Sequence, residues 1–163
     1  MQGNTARSTG VGNGRLAEGR PAPGLERLNA FIGRWITEGE TVAGDGAPSV
    51  PIVASDVYQW VAGGHFVMHP AYGRLGDVGG GGVEIIGREP DTDQFRTWFF
   101  DSQGNMITEA LVNQGNTWQW LGERVRCTGV FSDGGKTLAA RHERSEDGVH
   151  WVPSMTVTLR KVE

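Results

Sequence analysis

Between residues 89 and 148 the sequence is cut at short intervals by clusters of turn formers: Glu89-Pro90-Asp91-Thr92-Asp93, Asp101-Ser102-Gln103-Gly104, Asn113-Gln114-Gly115-Asn116, Ser132-Asp133-Gly134-Gly135 and Ser145-Glu146-Asp147-Gly148. Gly, Asn and Asp reach the left-handed and bridge conformations that a chain reversal needs. The segments between the clusters are rich in Val, Ile, Thr, Phe and Trp and lack helical periodicity, so they read as consecutive antiparallel strands rather than parallel crossovers. Strands are expected near 34–42, 50–60, 64–73, 82–88, 94–101, 106–113, 116–122, 124–132, 136–144 and 149–161. A meander of that many strands leaves two open edges unless it closes on itself. The expected fold is therefore all-β: an antiparallel up-and-down barrel of about ten strands.

Upstream of the strands the pattern differs. Leu25, Leu28, Phe31 and Ile32 have the spacing of a short amphipathic helix that Gly33 can end. Residues 1–24 hold six glycines, two prolines and no aromatic residue, a composition that cannot bury enough apolar surface to offset the entropy of ordering. They are expected to be a disordered leader, with residues 25–163 forming one domain. The run Gly79 to Gly82 lacks the Lys-Ser or Lys-Thr of a phosphate-binding loop and reads as a flexible loop at the barrel mouth.

Alternation along the strands supports a barrel with an apolar inner face. Trp151, Pro153, Met155, Val157 and Leu159 share one face of the last strand, and Trp118 and Trp120 one face of an earlier one. Such a barrel is either filled by side chains or holds one small ligand.

The junction Phe31-Ile32-Gly33-Arg34-Trp35, followed by Thr37 and Gly39, resembles the Gly-x-Trp opening of the lipocalin and wider calycin barrels. Tyr58-Gln59-Trp60-Val61-Ala62-Gly63-Gly64, Phe99-Phe100-Asp101-Ser102-Gln103-Gly104, Thr117-Trp118-Gln119-Trp120 and Thr128-Gly129-Val130-Phe131-Ser132-Asp133-Gly134 extend it. Together they make the chain similar to a widespread bacterial lipocalin-like domain of unknown function, over about residues 25–162. The resemblance implies that Trp35 plugs the barrel base and packs against an arginine of the last strand. Arg160 is the candidate, although simple alternation sets it on the polar face. Nitrobindins, a haem-binding branch of similar barrels, also open with Gly-x-Trp and supply a proximal histidine from the last strand. The matching position here is Ser154, so no axial ligand and no cofactor is expected.

Charge and cysteine usage narrow the partners. Fifteen Lys and Arg against 19 Asp and Glu leave a formal charge of -4, which offers no footprint for nucleic acid or an anionic bilayer. The lone Cys127 has no internal disulfide partner, and no apolar stretch resembles a signal peptide or a spanning helix, so a cytoplasmic setting is expected. A homodimer is left open.

Several residues could carry chemistry. His65 and His69 form a His-x-x-x-His pair, but in a strand four residues span about 13 Å, too far to share one metal ion. No metal site is expected, while each histidine can line the cavity singly. His142 shares a strand face with Leu138 and Ala140, where desolvation favours its neutral form. Glu109, mid-strand, would act as a carboxylate base or anchor if it faces inward. Trp118, Trp120, Trp151 and Met155 supply apolar area for a flat or hydrophobic molecule. The function expected is binding of a small hydrophobic or aromatic molecule, with Trp118, Trp120, Trp151, His65, His69, His142 and Met155 lining the site. The alternative is a small cofactor-free barrel enzyme, an isomerase, cyclase or lyase, using acid–base groups drawn from Glu109, His142 and His65.

Overall fold

The computed structural model describes residues 19–44 and 46–163. Ten strands follow one another: β1 (Gly33–Thr41), β2 (Pro51–Trp60), β3 (Phe66–Leu75), β4 (Val78–Arg88), β5 (Phe95–Asp101), β6 (Met106–Gln114), β7 (Thr117–Leu121), β8 (Val125–Ser132), β9 (Thr137–Arg144) and β10 (Val152–Lys161). Each pairs antiparallel with its sequence neighbour, and β1 pairs with β10, so the sheet closes into a barrel without edges. The turn clusters lie between strands as the sequence pattern requires. Among the described residues no helix is long and apolar enough to cross a membrane.

A single 3-10 turn, Glu26–Ala30, precedes β1 and seals one end, here termed the base. It takes the place of the expected amphipathic helix, ending where Gly33 adopts a left-handed φ of 136° at the start of β1. Leu28 and Phe31 drop into the lumen, where Phe31 meets Trp118 at 4.8 Å and Phe131 at 5.3 Å between ring centroids. Of the expected leader, residues 1–18 lie outside the described ones. Residues 19–24 run along the base, where the Ala22 amide donates to the Gly64 carbonyl at 2.8 Å.

Trp35 is buried at the base and donates from Nε1 to the Phe31 carbonyl at 2.8 Å. The cation above its ring is Lys161, not Arg160: Lys161 Nζ lies 4.8 Å from the ring centroid, and Arg160 is exposed. Alternation explains the exchange, because Lys161 is opposite Trp35 in the β1–β10 register and Arg160 is opposite the outward Ile36.

A bulge in β10 corrects a second expectation. Pro153 pairs with Glu143 of β9 but Met155 pairs with His142, leaving Ser154 as the extra residue. Above the bulge the alternation inverts, so Met155, Val157 and Leu159 face inward while Pro153 follows the outward Glu143. Trp151 stacks on the outer wall beneath the guanidinium of Arg126, 4.3 Å from the ring centroid. It is therefore not grouped with Met155 as the unbroken alternation had implied.

The glycine run also belongs to the sheet rather than to a loop. Gly79 to Gly82 lie within β4, paired with Arg74 back to Ala71 of β3. Gly81, at φ 153°, needs the absent side chain, since a Cβ there would run into the Ala71 carbonyl.

Candidate functional site

Inward positions divide the lumen into two levels. Towards the base, Leu28, Phe31, Trp35, Val67, Ile86, Leu111, Trp118, Leu138 and Leu159 are buried and packed together. Towards the other end, the mouth, register places Phe99, Ile107, Glu109, His142 and Met155 on the inner wall, and all of them are only half-buried. Water therefore reaches inward-facing side chains from the mouth but not from the base.

Between the levels lies a chain of buried polar groups. Asp56 of β2, His69 of β3 and Glu84 of β4 occupy inward positions on three consecutive strands. His69 Nε2 meets Asp56 Oδ1 at 2.9 Å and its Nδ1 meets Glu84 Oε2 at 2.8 Å. The Thr37 hydroxyl donates to the other Asp56 oxygen, and Trp120 Nε1 donates to the other Glu84 oxygen at 3.1 Å. Both carboxylates thus have each oxygen engaged.

A neutral imidazole has only one N–H, whereas the imidazolium donates from both nitrogens. Burial alone lowers the His69 pKa, but hydrogen bonds to Asp56 and Glu84, together with their charges, outweigh it and hold the pKa above the ordinary histidine value. Tyr58 stacks on the ring at 3.7 Å with planes 12° apart. Burial first, then the charges of Glu84, Asp56 and Cys127, keep the Tyr58 phenol protonated.

Glu109 of β6 lies opposite Thr97 of β5 and points into the mouth level. Burial, reinforced by the charge of Glu84, pushes its carboxyl up to about 7, with the nearby Thr97 hydroxyl opposing. Thr97 is wholly buried, and its hydroxyl is bonded to the Glu109 carboxyl. Across the lumen His142 Nε2 lies 3.5 Å from Cys127 Sγ. Burial lowers His142 to about 4, with Glu84 opposing, so its imidazole is neutral near pH 7. Burial, then Glu109 and Glu84, raise the Cys127 thiol far above its ordinary range.

The residues singled out from sequence are thus distributed unevenly. His69, Trp118, Trp120, Glu109, His142 and Met155 are on the inner wall, with Trp118 2% and Trp120 8% exposed. His65 is not brought to them: it is exposed in the turn before β3, because that strand starts at Phe66 rather than 64. Trp151 lies outside the wall, for the bulge already described. Sequence reasoning missed Thr37, Asp56, Tyr58, Glu84 and Thr97. A signal existed for two of them, since Asp56 and Glu84 each alternate with apolar inward neighbours, Tyr58 and Ile86. Among the described residues no group of three or more His, Cys, Asp or Glu side chains is arranged to hold a metal ion.

Two hollows lie outside the mouth level. One is a groove of about 670 Å³ on the outer wall, lined by Glu38, Glu40, Val130, Arg141 and Thr158 among others. The other, about 410 Å³, lies at the base beside Arg27, Asn116, Phe131 and Asp133. Neither contains the buried polar chain.

The sequence profile of DUF1579, a protein family of unknown function, matches residues 20–152. The chain belongs to that family. No curated protein matches it. Among solved structures, this DUF1579 member is similar to Rv2717c from M. tuberculosis, with a TM-score of 0.64 and 12% identity over 88% of this chain and 100% of that one. It is also similar to the S-type phycobiliprotein lyase CPES from Guillardia theta, with a TM-score of 0.53 and 8% identity over 85% of this chain and 92% of that one. Both likenesses concern the barrel fold.

Proposed function

We propose that the protein binds a small hydrophobic or aromatic molecule in the mouth half of its barrel. The observation that carries this is the contrast between the two levels of the lumen: a packed base, and above it inward Phe99, Ile107 and Met155 that water still reaches. Apolar walls left wet are what a ligand of matching shape would cover, at roughly 25 cal/mol per Å² removed from water. At 8% identity the likeness to a phycobiliprotein lyase carries the fold alone, so the ligand's place is argued from the lumen. A reducing, cytoplasmic setting suits a chain whose lone cysteine is buried and free.

The test is titration with the neutral fluorophore N-phenylnaphthylamine. Saturable binding at one site per chain is expected, lost in Met155→Trp and in Ile107→Trp, which fill the lumen, and retained in Val130→Trp, which obstructs the outer groove. Binding that survives both lumen substitutions, or that Val130→Trp abolishes, would place the ligand elsewhere.

One observation favours a second reading, the cofactor-free enzyme. Glu109, at about 7, exchanges its proton in the working range of a general acid or base, and neutral His142 shares the same level. A rate that follows one ionisation near pH 7 and disappears in Glu109→Gln would select it.

A further inference from the structure

The outer wall of the barrel is divided by charge. On β1 and β8 to β10 the outward positions carry Glu38, Glu40, Arg126, Arg141, Glu143 and Arg160. On β3 to β5 they are apolar. One row of cross-strand pairs runs Met68, Ile85, Trp98, and the next runs Pro70, Val83, Phe100 and on to Met106 of β6. Tyr72 extends the patch towards the mouth, and Phe66, its ring laid over Gly87, extends it towards the base. The charged outward residues of these three strands stand at the two ends of the face, Arg74 beside Asp77 at 3.5 Å and Arg96 beside Glu89 at 2.9 Å. Because the apolar residues alternate with inward His69, Glu84 and Thr97, none of them can turn into the lumen. Phe100, Tyr72 and Met106 are left 47, 59 and 68% exposed. Scattered apolar residues are ordinary on a surface, but a contiguous set marks a contact.

We propose that this face joins two copies of the chain, packed sheet on sheet about a two-fold axis. The extent suffices. At strand spacings of about 4.8 Å and about 3.3 Å per residue, the patch from β2 to β6 measures roughly 20 Å each way, or about 400–500 Å² before side-chain relief is counted. Two such faces bury roughly 1,000 Å², the size at which specific interfaces begin. Composition selects the occupant. Contacts with transient partners are about as polar as the rest of a surface, whereas homodimer contacts are more apolar, poor in charge and anchored by aromatic residues. Trp98, Phe100 and Tyr72 supply the anchors, and a face that meets its own copy meets no unmatched charge. Docked instead on the opposite wall of a neighbour, it would bury Glu38, Glu40 or Arg141 against apolar side chains. Association therefore closes at two copies and does not propagate. The face lies outside the barrel, so it is independent of what the lumen holds.

Sedimentation velocity of the full chain between about 1 and 100 μM is the test. The mass is expected to rise with concentration from the 17.6 kDa of one chain towards twice that value. Phe100→Glu and Val83→Lys each set a charge within the patch at a position that faces water in the single chain, and each should weaken association at least about tenfold. Val130→Glu, on the opposite wall, should leave it unchanged. A single-chain mass at every concentration overturns the proposal, and binding of that single chain to phosphatidylcholine vesicles would then identify a lipid surface as the occupant. A dimer that survives both patch substitutions, or that Val130→Glu dissociates, overturns the face, and growth beyond two copies overturns the two-fold contact. Because the concentration series uses the unaltered protein, the outcome does not depend on how a variant folds.

Discussion

Lys161 places its ammonium 4.8 Å above the Trp35 ring and donates to the Ile32 carbonyl at 2.8 Å, so the last strand of the barrel clamps the residue that plugs its base. The clamp ties the first and last strands together, since β1 and β10 are the strands whose pairing closes the barrel. Lys161→Met keeps the length of the side chain and removes both interactions. A loss of about 1–2 kcal/mol is expected in urea unfolding. Arg160→Met, on the outer face one residue away, should change stability by less than about 0.5 kcal/mol. Equal effects from the two would show that the aromatic contact contributes nothing.

His69 is expected to hold its proton to higher pH than an ordinary histidine, and His142 to lose its proton well below one. Nitrogen NMR of the two imidazoles should show His69 titrating above the ordinary histidine value, and a His142 ring that remains neutral down to about pH 5. Because the His69 pKa is raised by folding, the stabilisation it supplies is fully present below the unfolded value of about 6.5 and is lost as pH climbs through the folded value. Asp56→Asn removes one of the two charges that hold the proton, and in the variant His69 should titrate at lower pH. An unchanged titration would mean that the Asp56 contact does not set the charge of the ring.

Glu109 gives stability a pH dependence of its own. Its carboxyl is raised by folding from 4.5 to about 7, so the folded protein binds the proton more tightly and loses stability as pH rises across that interval. His142 acts oppositely: lowered to about 4, it makes stability rise between about pH 4 and 6.5. The two slopes overlap, and the difference between Glu109→Gln and the unaltered protein isolates the first. The variant is expected to gain about 1–2 kcal/mol relative to the parent at about pH 8, after discounting for water at a half-buried carboxyl, and much less at about pH 5. Parallel stability curves for the two proteins would contradict an inward, desolvated Glu109.

How much of this was legible in the sequence depends on the kind of signal each residue leaves. Strand order and closure follow from local turn chemistry, and the five turn clusters fell at every junction from β4 to β10 except that between β7 and β8. Periodicity of two then assigned Trp118 and Trp120 to one face, as the β6–β7 and β7–β8 registers have it. The same periodicity failed at Trp151, because a bulge at Ser154 inverts the face and leaves no mark on the hydrophobic pattern. It failed at His65 because strand ends are set by pairing partners, which a single sequence does not display. The Asp56–His69–Glu84 chain was hidden for another reason. Its members are 13 and 15 residues apart, on separate strands, and only closure of neighbouring hairpins brings them into contact. A carboxylate at an inward position of the alternation was the available clue, and it is weak because the default for Asp and Glu is solvent.

Cys127 supplies the last test of how dry the lumen is below the mouth. Its thiol lies beside neutral His142, and burial together with the charges of Glu109 and Glu84 disfavours the thiolate. Thiolate is the reactive species, so contact with a histidine does not activate this cysteine as it would if the imidazole were positively charged. Native protein is therefore expected to resist iodoacetamide at about pH 8, while protein unfolded in urea labels at one site per chain. A Glu109→Gln variant should label somewhat faster than the parent, since one of the charges opposing ionisation is gone. Rapid native labelling would instead require either a thiolate stabilised by His142 or a lumen open to water as deep as β8, and either would contradict a dry, neutral Cys127.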